Sequence, residues 1–223
     1  MLLSDGEIKQ AMAANKLRID NFSEKSLEAA SYDMRVGKRL LVSNEEVEID
    51  LEKRGSAVLE PGTFALLTTY ESVWLDKTIA GHIGVKSYHT RKGIVMLAGL
   101  QIDPGFEGVL VLGLYNASPR SLTLDYLAPF CTVEFHQLAK AVERPFVPGA
   151  EQKEGQIPRV DKDYLRTLET QSLSQMSQSL TELTRNVGSL SSSVRTMEWV
   201  LGLGLGFLAI LITALGVIVT VKH

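Results

Sequence analysis

The hydrophobic pattern changes period along the chain, and each change marks a different kind of element. From Val200 to Val221, twenty-two consecutive positions carry no charge. As a helix they span roughly 33 Å, against a hydrocarbon core of about 30 Å. The stretch predicts one transmembrane helix, with only Lys222 and His223 after it. Trp199 at its edge suits an interfacial anchor. Before it, Leu173, Met176, Leu180, Leu183, Val187, Leu190, Val194, Met197 and Leu201 follow one another at alternating spacings of three and four. That heptad predicts a coiled coil running in phase into the membrane segment. Its flanking positions are mostly Ser, Thr and Asn, and Gly188 lies inside it. Such a helix is marginal alone in water, so its stability has to come from association.

The period is shorter upstream. From Ala29 to about Pro145 the apolar runs are brief, as in Arg39–Val42, Phe64–Leu67, Val109–Leu112 and Ser121–Leu124. Pro61-Gly62, Asp103-Pro104-Gly105, Ser118-Pro119 and Ala128-Pro129 punctuate them. No long helical period interrupts, which predicts a mainly β sandwich or barrel-like domain. Ser4 with Glu7 three residues on is a capping-box pattern. It starts a short helix whose apolar face is read from Ile8, Met12 and Leu17. The expected organisation is a β domain over 1–145, a polar Pro/Gly linker over 146–160, a coiled-coil stalk over 161–199 and the membrane helix over 200–221.

Composition narrows the function classes. A net charge of −3 offers no broad basic field, so duplex nucleic acid is not an expected partner. The single cysteine, Cys131, fits a reducing compartment. The start Met-Leu-Leu-Ser-Asp-Gly-Glu lacks the features of a secretory signal. The expectation is a cytoplasmic head on a single-pass membrane protein anchored by its C-terminus. Four histidines and one cysteine show no metal-ligand spacing, so neither zinc nor a directly held metal is expected. No phosphate-binding Gly-x-x-x-x-Gly-Lys loop and no Gly-x-Ser-x-Gly elbow occurs.

Polar and glycine clusters stand at the strand ends. They are Ala30-Ser31-Tyr32-Asp33-Met34-Arg35, then Gly84 to Gly93, then Ala98 to Gly108. The second packs Lys86, Ser87, Arg91 and Lys92 between glycines. Cations, a hydroxyl and open backbone amides suit an oligophosphate, and a solvated hairpin with scattered charge has the same composition. In their order and spacing, Ala-Ser-Tyr-Asp-x-Arg-x-Gly, Lys-Ser-x-x-x-Arg-x-Gly and Ile-Asp-Pro-Gly-Phe-x-Gly resemble the dCTP deaminase and dUTPase superfamily. Leu3 to Ile8, Ala30 to Gly37 and the Pro104 turn look closer to the deaminase branch. The resemblance covers roughly residues 2–140.

That resemblance implies a distorted β jelly-roll and a homotrimer with nucleotide sites between subunits. It implies nucleotide and phosphate contacts at Lys86, Ser87, Arg91, Gln101, Asp103 and Phe106, and Mg²⁺ carried by a nucleotide triphosphate, with Asp33 as a candidate outer-shell partner. The deaminase general base would be a Glu where this chain has Gly113, and glycine moves no proton. The stretch before the third motif reads Val95-Met96-Leu97-Ala98 instead of the family's His-containing form. In a dUTPase-like reaction Asp103 would be the base, but the phosphate-binding Gln of the fourth motif is replaced by Thr132 and no Gly-rich closing arm is seen. The expected function is a trimeric, membrane-anchored nucleotide-binding protein without deaminase activity, coupling ligand binding to its membrane helix. That arrangement suits a defence or stress-response effector. The alternatives are an active membrane-tethered pyrimidine dNTP hydrolase or deaminase, and a purely structural trimeric cap.

Overall fold

The computed structural model describes residues 1–43, 45, 47–97, 99–167, 178–189 and 197. The chain divides into two compact units, Met1–Ser174 and Gln175–His223. In the first unit, α1 (Asp5–Ala13) leads to β1 (Leu17–Ile19), β2 (Leu27–Glu28), β3 (Ser31–Val42) and β4 (Ile49–Asp50). Then come α2 (Leu51–Arg54), β5 (Ser56–Leu59), β6 (Phe64–Leu75), β7 (Ile79–Val85) and α3 (Ser87–Thr90). β8 (Ile94–Met96), β9 (Gln101–Ile102), β10 (Glu107–Asn116), β11 (Leu122–Asp125) and β12 (Pro129–Gln137) complete the strands, followed by α4 (Ala150–Lys153) and α5 (Arg159–Thr167). The expected mainly β head is thus present.

Ser4 starts α1 as its sequence suggests, its N–H and Oγ both donating to Glu7 Oε2 at 2.8 Å. Ile8 and Ala11 face the core, but the helix stops at Ala13. Leu17, expected on the helix face, instead opens β1 and is buried there.

Among the described residues, one antiparallel sheet of ten strands carries the fold, in the order β8-β10-β6-β3-β12-β7-β9, with β1 on β6 and with β2 and β4 on β3. A separate ribbon pairs β11 with β5. The sheet curls because β3 changes partner along its length. Tyr32 to Arg35 pair with β12, whereas Val36 to Val42 pair with β6. The register slips between Val36 and Leu40, the kind of irregularity that bends a strand and increases its twist. Gly37 sits in that bend. A Cβ there would stand 2.4 Å from the Thr69 carbonyl carbon and oxygen, so the two strands can approach only across a glycine.

Alternation along the strands fills the interior. Tyr32, Met34, Leu40, Leu67, Leu75, Phe130 and Phe135 are fully enclosed. Cys131 lies among them, and burial pushes its thiol far above the ordinary range. We therefore expect no reaction of Cys131 with a thiol reagent at pH 8 in the native protein and full reaction in denaturant. Labelling read by intact mass checks this, and native-state labelling at the free-thiol rate would contradict it.

The stretch 146–160, expected as a linker, lies against the sheet. The Phe146 N–H donates to Pro104 O at 2.8 Å, and its ring stacks on Phe106 with centroids 5.9 Å apart. α4 crosses β10, where a Cβ on Gly108 (φ +136°) would meet the Gln152 carbonyl oxygen at 2.5 Å. Ile157 and Leu165 are buried beside Leu41, Phe64, Leu66 and Val111. Lys153 pairs with Glu107 at 2.7 Å and Lys162 with Glu48 at 2.8 Å. The Lys153 hydrogen bond is the chief reason the Glu107 carboxyl titrates below its ordinary value, with Arg18 adding to it. Phe146 and Ile157, standing among Pro, Gly and charges, thus fasten the segment.

In the second unit residues 178–189 are helical, and Leu180, Leu183 and Val187 are all more than half exposed. The other heptad positions except Met197, and the whole of 200–221, lie outside the described residues. Among the described residues no helix is long and apolar enough to cross a membrane.

Candidate functional site

The first motif is largely committed to architecture. Tyr32 is core. Its hydroxyl accepts from the Ser23 N–H at 2.9 Å. Arg35 donates through Nε to Glu71 Oε1 at 2.6 Å and through its backbone N–H to Glu71 Oε2 at 2.8 Å. Burial works against the Arg35 charge, but the hydrogen bond and charge of Glu71 outweigh it and hold its pKa above the ordinary value. The guanidinium also lies 4.7 Å from the Tyr70 ring centroid. Glu71 is fully buried, and nothing in its local sequence marked it.

Asp33, the fourth residue of that motif, is buried and accepts a hydrogen bond from Lys86 of the second motif. β12 joins the two motifs, because Thr132 stands opposite Asp33 on one side and Gly84 on the other. The ammonium expected to hold phosphate is thus already paired with a carboxylate. β7 then ends in the single turn of α3, where the Lys86 N–H donates to Phe130 O and the Arg91 N–H to Ser87 O, each at 3.0 Å. Ser87 and Arg91 are exposed. Lys92 donates to the Tyr88 hydroxyl at 2.5 Å and lies over its ring.

A cavity of about 610 Å³ opens beside this turn, lined by Lys86, Tyr88, His89, Lys92, Ser121 and Asp125 among others. Its cations and hydroxyls can meet an anion, and Val36, Ile94 and Leu122 supply an apolar wall. A second cavity of about 230 Å³ is lined by Gln101, Asp103, Phe106, Phe146 and Gln152 among others. Gln101 Nε2 donates to Asp103 Oδ1 at 2.6 Å, which fixes that carboxylate at the rim. Within one chain the expected contacts are therefore divided. Lys86 lines one cavity; Gln101, Asp103 and Phe106 line the other; Ser87 and Arg91 line neither.

Gly113 lies on β10 opposite Leu66, and its carbonyl accepts from the Leu97 N–H at 2.8 Å. A Cβ at Gly113 would touch Leu97 at an ordinary 3.5 Å, so a larger residue is not sterically forbidden there. What this position lacks is a proton acceptor, and its surroundings include two leucines.

Residues 2–138 match a family model described as dCTP deaminase-like. The dCTP deaminase of Pyrococcus abyssi is 36% identical over 146 residues, covering 66% of this chain and 90% of that protein. The dUMP-forming dCTP deaminase of Aquifex aeolicus is 27% identical over 168 residues, covering 71% of this chain and 93% of that protein. The crystal structure of the 2′-deoxycytidine 5′-triphosphate deaminase from Agrobacterium tumefaciens superposes with a TM-score of 0.50 at 22% identity. That superposition spans 60% of this chain and 47% of the other, and it speaks for the fold alone. With the family model matching well over half of the sequence, the chain belongs to the dCTP deaminase-like family.

Proposed function

We propose that the chain is a trimeric, membrane-anchored nucleotide-binding protein that has lost deaminase turnover and passes ligand occupancy from its head to its C-terminal helix. The observation that carries this reading is the wall of the second cavity. Phe146 and Gln152 line it together with Asp103 and Phe106, and they belong to the segment that leads to the stalk. A nucleotide seated against Asp103 would touch that segment directly. Binding can shift its position only through a difference in affinity between two arrangements, and contact of the nucleotide with this wall would supply one.

Two features support the trimer. The expected contacts are split between two cavities of one chain, and a head-to-tail interface around a threefold axis can bring a cavity of one subunit to the other cavity of its neighbour. Leu180, Leu183 and Val187 also expose an apolar stripe at heptad spacing. Membrane anchoring rests on the uncharged run Val200–Val221. The absence of deamination rests on Gly113, which offers no group to take a proton from the attacking water.

The residues present do not fit a directly held Mg²⁺. Asp33 is neutralised by Lys86, and Asp103 already accepts a hydrogen bond from Gln101. Any such ion would keep its waters and the oxygens of a triphosphate, and no step is assigned to it. The site's own groups bind and orient. Arg91 and Lys92 offer charge-assisted contacts, and Phe106, stacked on Phe146, gives the second cavity an apolar wall.

Calorimetric titration of the full chain with dCTP, dUTP and dTTP tests the reading. At least one is expected to bind, and Arg91→Ala is expected to weaken it roughly tenfold, the loss of one charge-assisted hydrogen bond. Absence of binding by all three would refute it. A second reading, hydrolysis of a pyrimidine dNTP, is favoured by the fixed and exposed Asp103 carboxylate. It requires release of pyrophosphate that Asp103→Asn abolishes.

A further inference from the structure

β7 and β12 bring His82 beside two side chains that lie far from it in sequence. Glu134 stands opposite His82 in the register, and His136 follows two residues later on the same strand. All three therefore share one face of the sheet. One ligand atom from each lies within 4.8 Å of the others. The two imidazole rings are 4.7 Å apart at an interplanar angle of 54°. His136 Nε2 is shut off from solvent and has no hydrogen-bond partner among the described residues. Glu134 Oε2, at 3.6 Å, is beyond hydrogen-bond reach. A shielded ring nitrogen without a partner is costly unless something else meets it.

We propose that His82, Glu134 and His136 form a binding site for a borderline divalent cation, with Zn²⁺ as the best match. Two imidazoles and one carboxylate make a three-ligand set that zinc accepts, leaving a fourth position for water. Imidazole donors select zinc, nickel or copper over magnesium and calcium, which take oxygen shells. Zinc bonds of about 2.0–2.2 Å put tetrahedral ligand atoms roughly 3.4 Å apart, so side-chain rotations of about an ångström close the site. The ligands stand on paired strands rather than loops, which limits what ordering them costs. Glu134 and His82 are exposed, so an ion reaches the site from their side, and binding at the enclosed His136 Nε2 requires that ring to turn toward them. Bound there, the cation clamps β7 to β12, the strand pair that carries Thr132 and leads into Lys86. The site stands apart from the nucleotide reading and does not depend on it. The local signal is only Glu-x-His; the third ligand is some fifty residues away and becomes a neighbour through the pairing of β7 with β12.

The test is Zn²⁺ titration of the untagged full chain against a chromophoric chelator, with thermal unfolding followed in parallel. The expected result is one Zn²⁺ per chain, no displacement by Mg²⁺, and a higher melting temperature with Zn²⁺. His82→Asn and His136→Asn should each weaken binding roughly tenfold or more, and the triple variant with Glu134→Gln should lose both the stoichiometric binding and the thermal shift. Circular dichroism verifies that the variants are folded. Failure of the folded wild type to bind Zn²⁺ at micromolar concentration overturns the proposal. So does stoichiometric binding that the folded triple variant retains.

Discussion

Replacing Arg35 with alanine is expected to cost the head about 3–5 kcal/mol of unfolding free energy. Glu71 is fully buried, and both its carboxylate oxygens accept from Arg35, one from the side chain and one from the backbone. The variant leaves the carboxylate enclosed with only the backbone contact. It also removes the Arg35 Nη2 hydrogen bond to Asn21 O at 2.7 Å and the guanidinium from the Tyr70 ring. Domains of this size are stable by about 5–15 kcal/mol, so the loss is a large share of the whole. Urea unfolding checks it. Arg35→Lys keeps the charge but not the fork and should fall between the two. Replacing both partners, as Arg35→Met with Glu71→Leu, should recover most of the loss, because no buried charge is left alone. A cost under about 1 kcal/mol for Arg35→Ala would show that Glu71 finds another partner or meets water.

Gly37→Ala should be the next most damaging of the changes considered, at about 3 kcal/mol, the upper end for overpacking. The added carbon meets the Thr69 carbonyl group at 2.4 Å and the Thr68 oxygen at 2.5 Å. These are backbone atoms of a central strand, so no flexible side chain can yield. Relief requires β3 and β6 to separate where the sheet bends. Gly6→Ala is the control. Gly6 lies in α1 with nothing within 4 Å of an added Cβ, so alanine there should be neutral or stabilising by up to about 1 kcal/mol. Equal effects of the two substitutions in thermal unfolding would show that the crossing of β3 over β6 tolerates a side chain.

Arg35 and Gly37 also show what could be read from the chain alone. The short apolar runs and Pro/Gly turns gave the β character, and Phe64–Leu67 and Val109–Leu112 indeed lie in β6 and β10. The motif around Arg35 was visible as a motif, and its resemblance pointed toward a nucleotide family. The resemblance did not show that the Ser-Tyr-Asp-x-Arg-x-Gly residues are largely committed to holding the sheet together. Glu71 is 36 residues from Arg35, and Asp33 is 53 from Lys86. Pairings of that span are fixed by strand register, and no local period records them. The seating of residues 146–160 was hidden for another reason. Its anchors are isolated, Phe146 among prolines and Ile157 between Gln156 and Pro158, and a periodic pattern needs several hits. Heptad spacing, by contrast, is a local signal, and the series through Leu180, Leu183 and Val187 is legible in the sequence without any structure.

The separation of Lys86 from Asp103 is likewise set by strand pairing rather than by any local pattern. Both belong to motifs that a family resemblance joins into one site, yet they line separate cavities of a single chain. Gly113 is different: the glycine is legible without any structure, and the resemblance implies a Glu in its place.

The fate of bound dCTP tests the central claim most directly. Full-length protein is incubated at saturating dCTP with Mg²⁺, the bound fraction is measured, and the nucleotide is then separated chromatographically with ammonia assayed in parallel. The expected outcome is a bound pool recovered entirely as dCTP, with ammonia at the level of the protein-free control. Formation of dUTP or dUMP with matching ammonia, at a rate proportional to protein, would contradict it and show that another group takes the proton that Gly113 cannot.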